Sequence, residues 1–235
     1  MSGTTQQDVD KQPPDGAGEA SPRVVLFDFD GVLIRGDAFY LFMRERYARS
    51  LWRRLLAFLI SPLSLFLLPF SRRWPLRMMV RIALFGLDER RYHAAAKAFG
   101  ISLARRSRLF CRDGLRRLRQ HQTQGDRVIV VTGCEHHLVS AILQELGLTQ
   151  IEVLASTLRP GWVGMRPLRH NVGSRKVQTL NEYGVGAWQV AYGDSMYDVA
   201  MLKLASEAVL VNGSPALCKK VEKALGRAVS RVEWF

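Results

Sequence analysis

Val24-Val25-Leu26-Phe27-Asp28-Phe29-Asp30-Gly31 is the stretch that decides the fold. Its first half is apolar, and it stops abruptly at two carboxylates and a glycine, the pattern of a buried parallel strand with polar groups at its C-terminal end. Two further runs repeat the plan. Arg127-Val128-Ile129-Val130-Val131 ends in Thr132-Gly133 and leads into a helical pattern through Leu138, Ile142 and Leu146. Gln189-Val190-Ala191-Tyr192 ends in Gly193-Asp194-Ser195, with Asp198 close behind. Weaker strand patterns cover Ile151 to Ala155 and Ala208 to Val211, and helical patterns separate the strands. This βαβ alternation predicts an α/β fold with a doubly wound, Rossmann-like parallel sheet. Such sheets bind ligands beyond their strand C-terminal ends, where Asp28, Asp30, Thr132, Gly133, Asp194 and Asp198 gather.

The chain has 235 residues, enough for one core domain and a modest insertion. Its formal charge is +13, and the excess is local: residues 41–120 carry 19 basic and 4 acidic side chains, a net +15 against −2 elsewhere. That segment is expected to face something anionic. Cys111, Cys134 and Cys218 lie far apart without metal-ligand spacing, which predicts neither a disulfide framework nor a zinc site and suits a reducing compartment. Residues 1–22 are polar, rich in Gly, Pro, Gln and Asp, and read as a disordered leader rather than a secretory signal.

In order and spacing the motifs resemble those of the haloacid dehalogenase superfamily, over roughly residues 23–35 and 125–212. Asp28-Phe29-Asp30-Gly31-Val32-Leu33 matches its paired aspartates, although many phosphatases of that superfamily carry Thr where this chain has Val32. Thr132 stands for the second motif, Lys176 for the third, and Gly193-Asp194-Ser195-x-x-Asp198 for the fourth. Arg175 and Lys219 are the other basic candidates for the third; Lys176 opens the helical pattern Val177, Leu180 that precedes the fourth.

The resemblance implies a phosphomonoester hydrolase with Asp28 as nucleophile, since phosphoryl transfer to a carboxylate divides a slow hydrolysis into two displacements. Asp30 is then the acid that protonates the leaving alkoxide and the base that later activates water. A magnesium ion is implied, held by Asp28, the Asp30 backbone carbonyl and Asp194, with Asp198 in direct contact or one step behind. Thr132, Gly133 and Lys176 are expected to bind the phosphoryl oxygens, and Lys176 to restrain Asp28. His136 and His137 are helix neighbours pointing to different faces, with no third ligand in register, so no metal site is expected there.

About ninety residues separate the first two motifs, more than a βα connection needs. This places an inserted helical cap at 37–122, leaving 23–36 and 123–235 as the catalytic core. Within the cap, Leu55 to Ser71 is an uncharged run of 17 residues containing Pro62 and Pro69, bracketed by Arg53-Arg54 and Arg72-Arg73. Because Asp28 and Thr132 must meet in one site, the chain has to return to the side it entered from. The run therefore reads as a re-entrant or interfacial helical hairpin (about 51–75) turning near Pro62.

The Arg-rich flanks, the Leu/Pro-rich run, Arg73-Trp74-Pro75 and Phe85-Gly86 resemble the C-type bacterial phosphatidylglycerophosphatases. That resemblance implies phosphatidylglycerophosphate as substrate, a phospholipid membrane as partner and the cytoplasmic face of the bacterial inner membrane as location. The alternative is a soluble phosphatase of small metabolites, phosphoserine phosphatase-like, whose apolar run is cap core. Nucleic acid is not an expected partner, because the arginines lack interleaved aromatics beyond Trp52 and Trp74.

Overall fold

The computed structural model describes residues 22–67 and 73–235. The leader, apart from its last residue, and Pro69, Ser71 and Arg72 of the expected hairpin lie outside the described residues.

The chain enters at β1 (Val24–Phe27) and makes four helices, α1 (Ala38–Ala48), α2 (Leu51–Leu67), α3 (Arg73–Ala83) and α4 (Glu89–Ala104). It returns through α5 (Arg112–Thr123) to β2 (Arg127–Glu135), α6 (His136–Glu145), β3 (Glu152–Arg159), β4 (Arg166–Arg169) and α7 (Ser174–Glu182). Then come β5 (Val190–Gly193), α8 (Val199–Leu204), β6 (Glu207–Val211), α9 (Pro215–Leu225) and β7 (Ser230–Val232). The strands form one sheet in the order β4-β3-β2-β1-β5-β6-β7, parallel except where β4 runs antiparallel to β3. This is the expected doubly wound α/β sheet.

Alternation along β1 sets the two layers. Val25 and Phe27 face a core shared with α4, α5 and α6, through Tyr92, Phe99, Leu118, Leu138 and Ile142. Leu26 faces the opposite layer with Leu180, Trp188, Met201 and Val221. A strand buried on both faces needs an unbroken apolar run, and β1 supplies it. α5, placed in the cap by its position in sequence, packs on β2, and Arg117 Nε donates to the Tyr192 hydroxyl at 2.9 Å.

Three features depart from the sequence reading. β2 continues through Thr132 and Gly133 to Glu135, with a register shift against β3 between Val131 and Glu135. β4 and β7 carry no apolar run; β4 is an edge strand containing Pro167, which the edge tolerates because its other side needs no ladder donor. α2 does not turn at Pro62 but runs through it. Proline removes the N–H that would bond the carbonyl four residues back; here the Ser61 hydroxyl donates to the Phe58 carbonyl at 2.8 Å instead. α2 and α3 pack on each other. No described helix is long and apolar enough to cross a membrane.

Candidate active site

Because β2, β1 and β5 are parallel neighbours, Thr132, Asp28 and Asp194 emerge along one edge. The Asp28 amide donates to the Tyr192 carbonyl at 2.9 Å, carrying the ladder one residue past β1 and fixing the Asp28 backbone. Asp28 Oδ1 accepts from the Phe29 amide at 2.7 Å. The chain then turns sharply, with Gly31 at φ +78°. A Cβ at this glycine would sit 1.9 Å from Asp194 Oδ2, so a residue without a side chain is required for the two motifs to meet.

Lys176 decides the electrostatics. Its side chain comes from α7 and is buried, with Nζ 2.9 Å from Asp28 Oδ1 and 2.6 Å from Asp198 Oδ1. Burial by itself would depress the ammonium, but the Asp28 and Asp198 carboxylates together outweigh it and hold the lysine above its ordinary range. Arg175 and Lys219 are both exposed, so of the three basic candidates Lys176 is the one beside Asp28. Burial raises Asp28, Lys176 draws it down and Asp198 and Asp30 push it up again, leaving it well above a normal carboxylate. For Asp198 burial acts upward too, but Lys176 and Ser195 prevail and keep it ionised.

Asp198 is also the organiser of its loop. Oδ2 accepts from the Asp194 amide (3.2 Å), the Ser195 amide (3.1 Å) and the Ser195 hydroxyl (2.9 Å), while Oδ1 takes Lys176. Both oxygens are thus engaged by protein donors, and Ser195 and Asp198 form a reciprocal cap of the turn that leads into α8. Ser195, quoted in the fourth motif without a role, acquires one here. A Cβ on Gly193 would lie 2.5 Å from Asp198 Cβ, so this close approach again depends on glycine.

Asp30 points another way: Oδ1 accepts from the Ala38 amide at 2.8 Å, at the first turn of α1. Burial, only partly relieved by this bond and reinforced by the Asp37 charge, pushes its pKa up to about 7. Such a group can give and take a proton near neutrality. Burial and then the Asp198 charge raise Asp194 to about 6.

Thr132 is fully buried and its hydroxyl oxygen accepts from the Cys134 amide at 3.0 Å, leaving the hydroxyl proton available to donate. Gly133 fits against the loop before α7: its carbonyl accepts from Ser156 Oγ at 2.6 Å, and a Cβ would meet Val172 Cγ2 at 2.7 Å. Sequence reasoning missed Glu135 and Tyr92. Glu135, at the end of β2, is buried; its Oε2 caps α6 by accepting from the Leu138 amide at 3.1 Å. Burial and then Glu135 push the Tyr92 phenol, brought in by α4, far above its usual range.

The donors fit a hard divalent cation. Asp28, Asp194 and Asp198 each offer a carboxylate oxygen within 4.8 Å of the others, and one ammonium among three such groups leaves negative charge uncompensated. The Asp30 side chain is not in this cluster, as its engagement at α1 requires.

A sequence profile of haloacid dehalogenase-like hydrolases matches residues 25–203. The chain belongs to this family. The match takes in the ends of β1, β2 and β5, Lys176, and the whole helical insertion. No curated protein matches the sequence closely enough to serve as a relative. Among solved structures, a Bordetella pertussis Tohama I protein described as of unknown function superimposes with TM-score 0.66 and 20% identity, covering 90% of this chain and 99% of that one. A substrate-bound phosphoserine phosphatase gives TM-score 0.55 and 19% identity over 91% of this chain and 94% of that one. A phospho-aspartyl intermediate analogue of phosphoserine phosphatase gives 0.53 and 19% over 91% and 96%. At these identities the likeness is one of fold, insertion included.

Proposed function

We propose that this haloacid dehalogenase-like hydrolase is a phosphomonoester phosphatase that works through an aspartyl-phosphate at Asp28. The observation that carries the proposal is the bridge of Lys176 Nζ between Asp28 and Asp198, a buried cation beside a carboxylate at the strand end. With Oδ1 anchored by Lys176 and the Phe29 amide, Oδ2 attacks phosphorus as the bond to the leaving oxygen breaks. Asp30 gives that oxygen its proton. It then takes a proton from the water that attacks the same phosphorus, which breaks the acyl-phosphate bond and returns Asp28. A pKa of about 7 suits both duties. The Thr132 hydroxyl, the Gly133 region and Lys176 bind the phosphoryl oxygens. Asp28, Asp194 and the Asp30 carbonyl, with Asp198 behind them, would hold a magnesium ion, which when bound would neutralise charge on the transferring group.

For substrate, the stronger support is for a small phosphorylated metabolite, because the similar folds include phosphoserine phosphatases. Phosphatidylglycerophosphate has no counterpart among these neighbours. A membrane lipid phosphate is kept as a second reading because α2 turns Leu55, Phe58 and Leu59 outward among arginines. On that reading the enzyme works at the cytoplasmic face of the bacterial inner membrane. The test is a panel of phosphoserine, glycerol 3-phosphate, phosphatidic acid and phosphatidylglycerophosphate in one detergent, with p-nitrophenyl phosphate for comparison. Alongside it, Asp28→Asn is expected to abolish turnover and the phosphorylated peptide containing position 28. Near-normal turnover in that variant would eliminate the mechanism.

A further inference from the structure

α2 is amphipathic in the wrong sense for a helix of a water-facing surface. Leu51, Leu55, Phe58, Leu59 and Leu63 recur at helical spacing along about 18 Å and are all exposed, while Arg53, Leu56, Ala57 and Ile60 on the other side are half-buried. Among the described residues nothing covers the outer stripe.

A second element continues it. The turn joining β3 to β4 carries Trp162, fully exposed at 106%, and exposed Val163. It is tied to the end of α3 by a hydrogen bond from the Gly86 amide to the Val163 carbonyl (2.8 Å) and a bridge between Phe85 and Gly164. Phe85 in turn meets Trp52 at the start of α2, ring to ring at 5.4 Å, and Arg53 lies over the Trp52 ring. The exposed apolar side chains of the insertion and of the core turn therefore form one rim. β3 is parallel to β2, so the turn that follows its C-terminal end lies at the same edge of the sheet as Asp28 and Thr132.

We infer that this rim, α2 together with the Trp162 turn, is a docking surface for an anionic lipid bilayer, and that it holds the catalytic edge of the sheet toward that surface. Charge chooses the occupant. Residues 46–87 contain eight arginines and no acidic residue, and Arg49, Arg54, Arg77 and Arg81 are exposed. Aromatic and aliphatic side chains projecting among arginines are what a headgroup interface takes up, apolar groups below and cations at the phosphates. A second copy of the chain would bring the same positive charge against itself. The inference deepens the lipid reading of the site, but binding is measured without turnover and stands or falls separately from it.

The test is co-sedimentation of the full chain with vesicles of phosphatidylcholine alone and of phosphatidylcholine and phosphatidylglycerol in equal parts. Wild type and Asp28→Asn are both expected to pellet with the anionic vesicles and to remain largely in solution with the neutral ones. Trp162→Ser removes a side chain that touches almost nothing in the fold, so it should melt with wild type and hydrolyse p-nitrophenyl phosphate normally, yet bind about tenfold more weakly. Leu55→Ser/Phe58→Ser should release the protein too. Wild type that ignores anionic vesicles overturns the inference. So does a Trp162→Ser variant that binds as well as wild type, or a wild-type dimer that Leu55→Ser/Phe58→Ser separates while neither protein binds vesicles. Failure of Asp28→Asn to lose turnover would refute the phosphatase mechanism and leave the binding result untouched.

Discussion

Replacing Lys176 by methionine isolates what the buried ammonium does, because methionine keeps most of the length and volume while removing the charge. In the native fold Nζ neutralises two carboxylates, 2.9 Å from Asp28 and 2.6 Å from Asp198, where little solvent reaches. Removing one partner of a buried ion pair costs about 3–5 kcal/mol, since the charge left behind has neither solvent nor counter-ion. Part of that cost is relieved by proton uptake, because burial already holds Asp28 well above its ordinary range. A net loss near about 3 kcal/mol is expected, which for a chain of this size lowers Tm by about 6–12 °C.

The pH dependence distinguishes this cause from a packing defect. Without the lysine both carboxylates have folded pKa values above their unfolded ones, so the folded state binds the extra protons and stability falls as pH rises. In wild type, Asp198 is held low and contributes stability that is lost as pH falls. The gap in Tm between wild type and Lys176→Met should therefore be widest near neutral pH and narrow steadily toward pH 4, measured by calorimetry in a chelating buffer. Turnover of p-nitrophenyl phosphate should fall by about a thousandfold, as one preorganised charge at the transferring group accounts for roughly this much. A variant that melts with wild type, or a gap that does not change with pH, would refute the electrostatic reasoning.

Two further substitutions test other parts of the edge. Asp30→Asn should raise Tm at pH 8 and leave it unchanged near pH 4, again without divalent cations. The native carboxyl, raised to about 7, costs stability that grows as pH rises from about 4 through 7, up to about 4 kcal/mol, and the amide oxygen can still accept from Ala38; equal Tm values at pH 8 would contradict this. Gly31→Ala should cut turnover at least about a hundredfold while costing stability only about 1 kcal/mol, because the added carbon displaces the Asp194 carboxylate 1.9 Å away and strains a residue at φ +78°; retained activity with unchanged magnesium demand would show that Asp194 is not needed there.

That Asp28, Thr132 and Asp194 share one edge of the sheet was legible because strand ends obey a one-dimensional rule. A strand buried on both faces must be apolar to its last residue, so the change from Phe27 to Asp28, from Val131 to Thr132 and from Tyr192 to Asp194 marks where each strand leaves the core. Parallel order then brings those three ends together without further information. The identity of the lysine was less legible, since Arg175, Lys176 and Lys219 differ in sequence only by their place relative to a helical pattern. In the fold, α7 turns Lys176 inward to Asp28 and leaves Arg175 in solvent, while Lys219 is exposed on α9. β4 and β7 escaped notice because edge strands bury little and need no apolar run.

The helical insertion shows where pattern reading stops for a physical reason. Apolar residues in a run state what avoids water, but whether they are covered depends on what packs beside them, and the sequence does not state that neighbour. Pro62 was read as a turn because it removes a backbone donor; Ser61 supplies another donor to the stranded carbonyl, and the helix continues. Continuing it keeps Leu51, Leu55, Phe58, Leu59 and Leu63 in register on one side, where a turn at residue 62 would have divided them. The same continuity aligns that stripe with Trp52 and, through Phe85, with the Trp162 turn some eighty residues further along the chain. A surface assembled from α2, the end of α3 and the β3–β4 turn cannot appear in any one window of sequence. It becomes visible only once the parallel sheet has placed the end of β3 beside the insertion, on the edge where Asp28 stands.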